Sequence, residues 1–551
     1  MGSSFRARFF PVAASALAFC SGLAAAMLPP GPQVVTYRSS VDDSDQPYAL
    51  YVPPAVDPGR AYPVVISLHG ENSNHLMNLR QVFGKGPRPG ETTDEGARYL
   101  PRLPDVPFLV AAPLARGAVV AAGIVERDVY DMLADLKRRF PIDDDRIYLT
   151  GVSTGGGTAL RLALTRPDVW AAVAAVCPVL PEGLDELLPN ATNVPLRIYG
   201  GEFDPLVPAS QLRDFQKRLL AAGVNVEYIE YPRVRHNAWD NAYRGGGIFE
   251  WFAARSRTRM PRQIHFRTRA YRLSSAWWIR IDRLTPGTPA SIDASAVPGE
   301  PVTIATRNVD AFTVELRTSR IRIDGAVFTT RPAAALSFHR TPNGWRAGLS
   351  VPAAGDKRRG AEGPLARVIT ARHLYVYGTA DNPPPGELER RRREAEAAAT
   401  WSTATVPLRV SFPVVADRDV SPADAKSANL VLFGTAETNR LIARAGVGVP
   451  LALHPSAADY GLVCLAADNG RYLLINSGLP WWTGADQARR GAEPRRRPPY
   501  PPWRVLETFA DFIVFKGSLE NVVAEGRLEN DWSIPPAAAA TIKATGAVQL
   551  R

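Results

Sequence analysis

The sequence predicts an α/β protein: a mostly parallel, eight-stranded sheet with helices on both faces, then an antiparallel β domain, then a smaller α/β domain. Three observations predict it. Up to about Arg257, short β-rich runs alternate with helix-like segments. From 262 to 350 apolar and polar residues alternate at period two, with turns at regular intervals. Beyond 350 both periods return. A chain of 551 residues also exceeds what one ordinary core holds. The changes of texture divide it into a leader over 1–26, an α/β domain over 27–258, a sandwich-like β domain over 259–350 and a small α/β domain over 351–551.

The leader reads "MGSSFRARFFPVAASALAFCSGLAAAM", with Arg6 and Arg8 ahead of an apolar stretch and small residues at Ala24 and Ala26. That is the three-part layout of a secretory signal with cleavage after Ala26, so a secreted or periplasmic protein is expected. Cys20 offers a lipid-anchor alternative, but bulky Phe19 precedes it where such sites want a small residue. After cleavage only Cys177 and Cys464 remain, in different domains, which argues against a disulfide framework. No later stretch reaches the length of uninterrupted apolar chain that a membrane span needs.

The composition, 46% hydrophobic and 22% charged, is that of a folded soluble protein. The formal charge of +11 falls to +9 with the leader, which removes two arginines and no acid. The arginines are mostly scattered. The one dense patch, "RRGAEPRRRPPYPPWR", is broken by prolines, and no nucleic-acid motif accompanies it. Nucleic acid is therefore not an expected partner, nor is a membrane once the leader is gone; solubility or attraction to a polyanionic envelope accounts for the charge.

The first domain offers eight strand candidates: "QVVTYRS", "QPYALYVPP", "YPVVISLHG", "PFLVAAP", "RIYLTGVS", "AAVAAVCPV", "PLRIYGGEF" and "VEYIEYP". The first two flank the turn-rich "SVDDSDQP" and read as a hairpin. The later ones are near-continuous apolar runs, as parallel strands covered on both faces require. Helices are expected over 126–140 and 209–223. In the β domain the alternating segments are "IHFRTRAYRL", "AWWIRIDRL", "EPVTIATRNV", "AFTVELRTSRIRI" and "ALSFHRTPNGWRAGL". In the last domain "HLYVYGT" and "NLVLFGT" precede helices in "GELERRRREAEAAATW" and "AETNRLIARAG", and "RYLLINSG" and "DFIVF" follow.

The stretch "DDDRIYLTGVSTGGGTALRLALTRPDVW" is strand, Gly-Val-Ser-Thr-Gly, helix. A serine on such a turn stands clear of the sheet edge, and the following helix aims its positive end at it. A phosphate-binding loop would need Gly-Lys-Ser/Thr, which is missing. Ser153 is thus a candidate nucleophile, and a serine hydroxyl needs a base. Up to Arg257 the histidines are His69, His75 and His236, and His236 follows the last strand of the sheet. Between them "PLRIYGGEFDPLVP" places Asp204 at a strand end closed by Pro205, with Glu202 as competitor for the acid. The strand "PVVISLHG" ends in His69-Gly70. There the backbone N–H of Glu71 can pair with that of Thr154 to hold an oxyanion, while His69 itself reads as a structural turn residue.

The motifs "LHG", "RIYLTGVSTGG", "GGEFDPLVP" and "RHNAWDNAY" resemble, over roughly 36–256, secreted α/β-hydrolases of the polyhydroxybutyrate-depolymerase and feruloyl- or acetyl-xylan-esterase type, some described as prolyl-oligopeptidase-like. Residues 259–551 resemble extensions that follow such domains in some bacterial proteins. The resemblance implies an α/β-hydrolase fold, a Ser153–His236–Asp204 triad and acyl-enzyme chemistry on esters, without metal or organic cofactor. Glu71 departs from the pattern, standing where relatives often have an aromatic or small residue, and its carboxylate disfavours anionic acyl groups. Two other readings compete with an esterase. One is a serine peptidase of the same type. The other is a polysaccharide-binding protein that uses the pairs Trp277-Trp278 and Trp481-Trp482 on an inactive hydrolase scaffold.

Overall fold

The computed structural model describes residues 28–54, 59–117, 122–350, 353, 355–402, 407–468, 470–486 and 501–551. The leader and most of the basic patch lie outside these.

The first sheet is built from β1 (Gly31–Arg38), β2 (Asp45–Val52), β3 (Tyr62–Leu68), β4 (Leu109–Pro113), β5 (Ile142–Val152), β6 (Ala172–Val176), β7 (Leu196–Gly201) and β8 (Val226–Tyr231). Their order across the sheet is β1-β2-β4-β3-β5-β6-β7-β8, with β1 and β2 antiparallel and the rest parallel. This is the α/β-hydrolase fold that the sequence predicts. Each of the eight apolar runs becomes one of its strands. Strands β3, β4 and β6 are buried along their whole length because hydrophobic cores cover both faces of the sheet. Helix Ala122–Arg139 begins slightly earlier than the periodicity suggests. It ends on Lys137, Arg138 and Arg139, which face its negative pole.

Register carries the functional loops to one edge. Leu68 pairs with Gly151, so the chain leaving β3 runs beside the chain leaving β5. Val152 pairs with Val176 and Gly201 with Tyr231, which brings the ends of β6, β7 and β8 into the same row.

After Arg257 come two five-stranded sheets that share one core, built around Phe266, Trp278, Phe312 and Phe338. Strands Ala290–Ser295 and Ala326–Thr329 were not evident from the alternation, the first being short-chained and the second an exposed edge. All pairings are antiparallel except that of Val302–Arg307 with Arg320–Ile323. The remaining chain forms a two-stranded antiparallel sheet of Leu451–Leu453 with Val548–Leu550 and a seven-stranded mixed sheet. Its helix Pro385–Ala398 buries only Ala395 and Ala398 and spans its exposed face with pairs such as Arg391–Glu387, Arg392–Glu396 and Arg393–Glu389. The expected helix over "AETNRLIARAG" is shorter, Arg440–Ala445. The Asn439 side chain accepts the Leu441 and Ile442 N–H groups, and Thr435–Thr438 is a turn instead. Strand Tyr460–Asp468 is also new. It pairs antiparallel with Arg471–Gly478, from Gly461 opposite Gly478 to Asp468 opposite Arg471.

The paired tryptophans are core residues. Trp278 and Trp481 are buried, and Trp277 and Trp482 pack against the same clusters. They form no exposed aromatic platform.

The units are joined by buried charge. Arg116, wholly buried, donates from Nε to Asp128 (2.6 Å), from Nη1 to Asp42 (2.7 Å) and to the Arg409 carbonyl (2.9 Å), and from Nη2 to Ser39 Oγ (2.6 Å). The Arg409 N–H returns a bond to the Arg116 carbonyl at 3.0 Å. Elsewhere Glu362 accepts the Tyr271 and Arg272 N–H groups, and Arg272 reaches Glu126 at 2.7 Å.

Arg116→Met should therefore lower the unfolding free energy by about 3–5 kcal/mol, because it strands two buried carboxylates. Arg38→Met, which breaks an exposed pair with Asp45 (3.6 Å), should cost under about 1 kcal/mol. Equilibrium urea unfolding of the two variants checks the contrast.

Candidate active site

Ser153 sits on the turn between β5 and helix Thr154–Thr165 with φ 55° and ψ −116°. That left-handed φ costs a non-glycine residue about 1–3 kcal/mol and persists only where the surroundings impose it. Here they do. A Cβ on Gly151 would strike the Gly155 carbonyl, and one on Gly155 would strike the carbonyls of Leu68 and His69. The first turn of the helix is thereby drawn down onto the end of β3, and Ser153 is lifted out between them. Its own N–H is held by the Val176 carbonyl at 2.9 Å.

His236 stands on the loop after β8. Its Nε2 is 3.0 Å from Ser153 Oγ and its Nδ1 is 2.7 Å from Asp204 Oδ2. Asp204 lies in the turn after β7 and is almost wholly buried. Its second oxygen, Oδ1, accepts the N–H groups of Leu206 (2.8 Å) and Val207 (2.9 Å), which fix the carboxylate in the orientation that His236 meets. Glu202 points elsewhere, to the Arg233 N–H at 2.8 Å. Trp239 sets its ring edge-on to His236, with centroids 5.8 Å apart.

The turn after β3 closes the site. Gly70 lies so near that a Cβ placed on it would be 3.3 Å from the Ser153 Cβ. Among the described residues neither the Glu71 N–H nor the Thr154 N–H has a hydrogen-bond partner. His69 is buried, with Nδ1 against the Gly70 carbonyl (2.7 Å) and Nε2 against the Leu114 carbonyl (2.9 Å). It holds the turn in place. His75 opens helix His75–Val82, and burial, aided by nearby His69 and Arg409, pushes its imidazole down to about 4. It is neutral at neutral pH and is not the partner of Ser153.

Cys177 is the neighbour that sequence reasoning missed. It follows β6, is fully buried, and its sulfur lies with donor atoms of Asp204 and His236 within 4.8 Å of one another. Burial pushes its thiol well above the ordinary range. A protonated thiol is a poor metal ligand, and both Asp204 oxygens are already committed. The trio therefore reads as a packed triad rather than a metal cluster. No signal in the sequence pairs Cys177 with Ser153; their contact comes from the β5–β6 register.

Chemically, the arrangement is a hydroxyl with a base beside it, a carboxylate behind the base, and two free N–H groups at the nucleophile. Residues 117–255, which include all three side chains, match the dienelactone hydrolase family. A segment of 101 residues is 35% identical to cutinase 1 of Thermobifida cellulosilytica, covering 18% of this chain and 36% of that protein. Another 101-residue match, to a cutinase of Thermobifida fusca (strain YX), is also 35% identical and covers 18% and 32%. The chain thus spans about a third of the length of these relatives. Among solved structures, it overlays a thermostable esterase at 24% identity and TM-score 0.33, covering 41% of this chain and 63% of that one. It overlays a ferulic acid esterase of Anaeromyces mucronatus at 18% identity and TM-score 0.32, covering 40% and 90%.

Iodoacetamide should leave Cys177 and Cys464 of the folded protein unmodified and alkylate both in urea, since each is buried and its thiol is held protonated. Peptide mass spectrometry of the two samples reads the outcome, and labelling of Cys177 in the folded protein would contradict its placement behind the triad.

Proposed function

We propose that the protein is an exported serine esterase that hydrolyses carboxylic esters through an acyl-enzyme on Ser153. The observation that carries this reading is the continuous relay from Ser153 Oγ through His236 to Asp204. His236 Nε2 takes the hydroxyl proton as Oγ attacks the ester carbonyl. Asp204 holds the imidazole in the tautomer that has Nε2 free, then stabilises the imidazolium. The carbonyl oxygen gathers charge between the Glu71 and Thr154 N–H groups. His236 then returns its proton to the departing alcohol. Water repeats the sequence, its proton going to His236 and its oxygen to the acyl carbon; the bond from that carbon to Ser153 Oγ then breaks, His236 returns the proton to Oγ, and the acid leaves.

The family match over 117–255 and the cutinase likeness support ester chemistry. The leader over 1–26 supports export. Polymeric esters, from polysaccharide side chains or polyesters, are the substrates that an exported enzyme of this kind would meet. After Arg257 each tryptophan pair buries one member and packs the other against the same core, so a role as a polysaccharide-binding scaffold finds no support in them.

The test is hydrolysis of p-nitrophenyl acetate and a feruloyl ester, set beside a peptide anilide. Turnover of the esters should exceed that of the anilide. Ser153→Ala should abolish the ester activity, and Asp204→Asn should lower kcat by about 10³–10⁴ with little change in KM. Equal rates for wild type and Ser153→Ala would refute the assignment.

A further inference from the structure

The last unit holds a cleft of about 480 Å³, part of it open to solvent, at the carboxyl ends of strands Asn429–Phe433 and Arg471–Gly478. These strands are parallel neighbours, with Phe433 opposite Asn476. Ser477 Oγ donates to the Gly434 carbonyl at 2.6 Å, which ties the two strand ends together. The small sheet of Leu451–Leu453 with Val548–Leu550 supplies a further wall. In open α/β sheets this edge is where small ligands bind, and the cleft has the size of a small-molecule site. It belongs to a different unit from Ser153, and no step of the ester chemistry uses it.

The lining divides by chemistry. Ile442, Val449, Leu451, Leu453 and Ile475, all buried, give the cleft an aliphatic floor. Glu437 and Arg551 line it with opposite charges, both exposed. Among the described residues neither of them stands in an ion pair. Arg551 donates from Nη1 to the Gly446 carbonyl at 3.1 Å and keeps its other N–H groups. The Thr435 side chain holds the Glu437 carboxyl below the ordinary carboxylate range, with smaller help from Arg551 and His454, so Arg551 acts on Glu437 without touching it. The turn Thr435–Thr438 closes on itself, the Thr435 N–H going to Thr438 Oγ1 at 2.8 Å. That leaves the Ala436 N–H, next to Glu437, without a partner among the described residues. His454, which also lines the cleft, engages Ser456 Oγ through Nδ1 at 2.7 Å.

We propose that this cleft binds a free α-amino acid with an aliphatic side chain. The ammonium meets Glu437, the carboxylate meets Arg551 and the Ala436 N–H, and the side chain lies on the aliphatic floor. Opposite charges that line one cleft without pairing offer both signs to a single ligand, and the apolar floor beside them weakens screening by water. An α-amino acid carries its two charges on groups attached to one carbon. Ala436 and Glu437 are adjacent in the chain, so a carboxylate at the first and an ammonium at the second match that spacing. A ligand with one charge leaves Glu437 or Arg551 unmatched. A charged side chain would have to give up its hydration on the floor, where no polar group repays the loss.

The experiment is isothermal titration calorimetry of the full-length chain with L-leucine. Beside it stand 4-methylpentanoate, which lacks the ammonium, 3-methylbutylamine, which lacks the carboxylate, and L-aspartate and L-lysine, which lack the apolar side chain. L-leucine should bind, and each of the other four should bind at least about tenfold more weakly. Glu437→Gln and Arg551→Met should each weaken L-leucine by about ten- to a hundredfold, because each removes a charge-assisted contact. Ser153→Ala should bind L-leucine as wild type does, which separates this site from the ester site.

No binding of L-leucine in the millimolar range would overturn the site. Equal affinity for L-leucine and either one-charge analogue would overturn the assignment of a zwitterion. Affinity unchanged in both Glu437→Gln and Arg551→Met, or lost in Ser153→Ala, would place the ligand elsewhere and overturn it too. Melting temperatures of the two cleft variants should stay close to wild type, because both side chains are exposed and neither is in an ion pair among the described residues.

Discussion

The conformation of one residue organises the first domain. Ser153 adopts a backbone state that it would leave in an unconstrained chain, and it is kept there by close contact between the start of its helix and the end of β3. That contact needs bare backbone at Gly151 and Gly155, so it is written into composition before any catalytic group is considered. Once the turn is imposed, the hydroxyl faces His236, the Thr154 N–H is left without a partner among the described residues, and the Ser153 carbonyl takes the Val179 N–H. The remaining loops are then arranged around a point that the sheet has already defined.

Much of this was legible because each participating side chain follows a strand, and the strands are apolar runs that stand out from their surroundings. Serine, aspartate and histidine come in order along the chain, and Pro205 after Asp204 marks the turn that separates it from Glu202. The structure adds the reason for that separation: the backbone N–H groups of Leu206 and Val207 orient Asp204, while Glu202 is drawn to Arg233. Cys177 was not legible, since its contact with Ser153 depends on which strands are neighbours and in what register.

The later domains were harder to read for identifiable reasons. Strand Ala290–Ser295 has small side chains at most positions and Ala326–Thr329 is exposed, so neither carries a strong alternation. Strand Tyr460–Asp468 is buried on both faces and reads as an apolar run of no particular period. The helix at Arg440–Ala445 is shorter than its pattern because Asn439 supplies a cap in the middle of it. In each case a local preference yielded to a turn, an edge or a cap that only the assembled sheet makes decisive.

Arg116 has a consequence for how such a protein can vary. A catalytic unit followed by extra domains is commonly pictured as a cassette on a string, to be cut out or recombined at will. This junction is different in kind. A cation from the loop after β4 is shared between two acids of its own domain and a carbonyl some three hundred residues later, in the loop that leads to strand Val414–Ala416 of the last sheet. A hybrid with a foreign C-terminal half would inherit a guanidinium shaped for a missing acceptor, two residues along the chain from Leu114, whose carbonyl meets His69. Domain exchange is thus constrained to keep the first and last units together, and the β domain between them is bound to both as well, through Arg272 to Glu126 and through the Tyr271 and Arg272 N–H groups to Glu362.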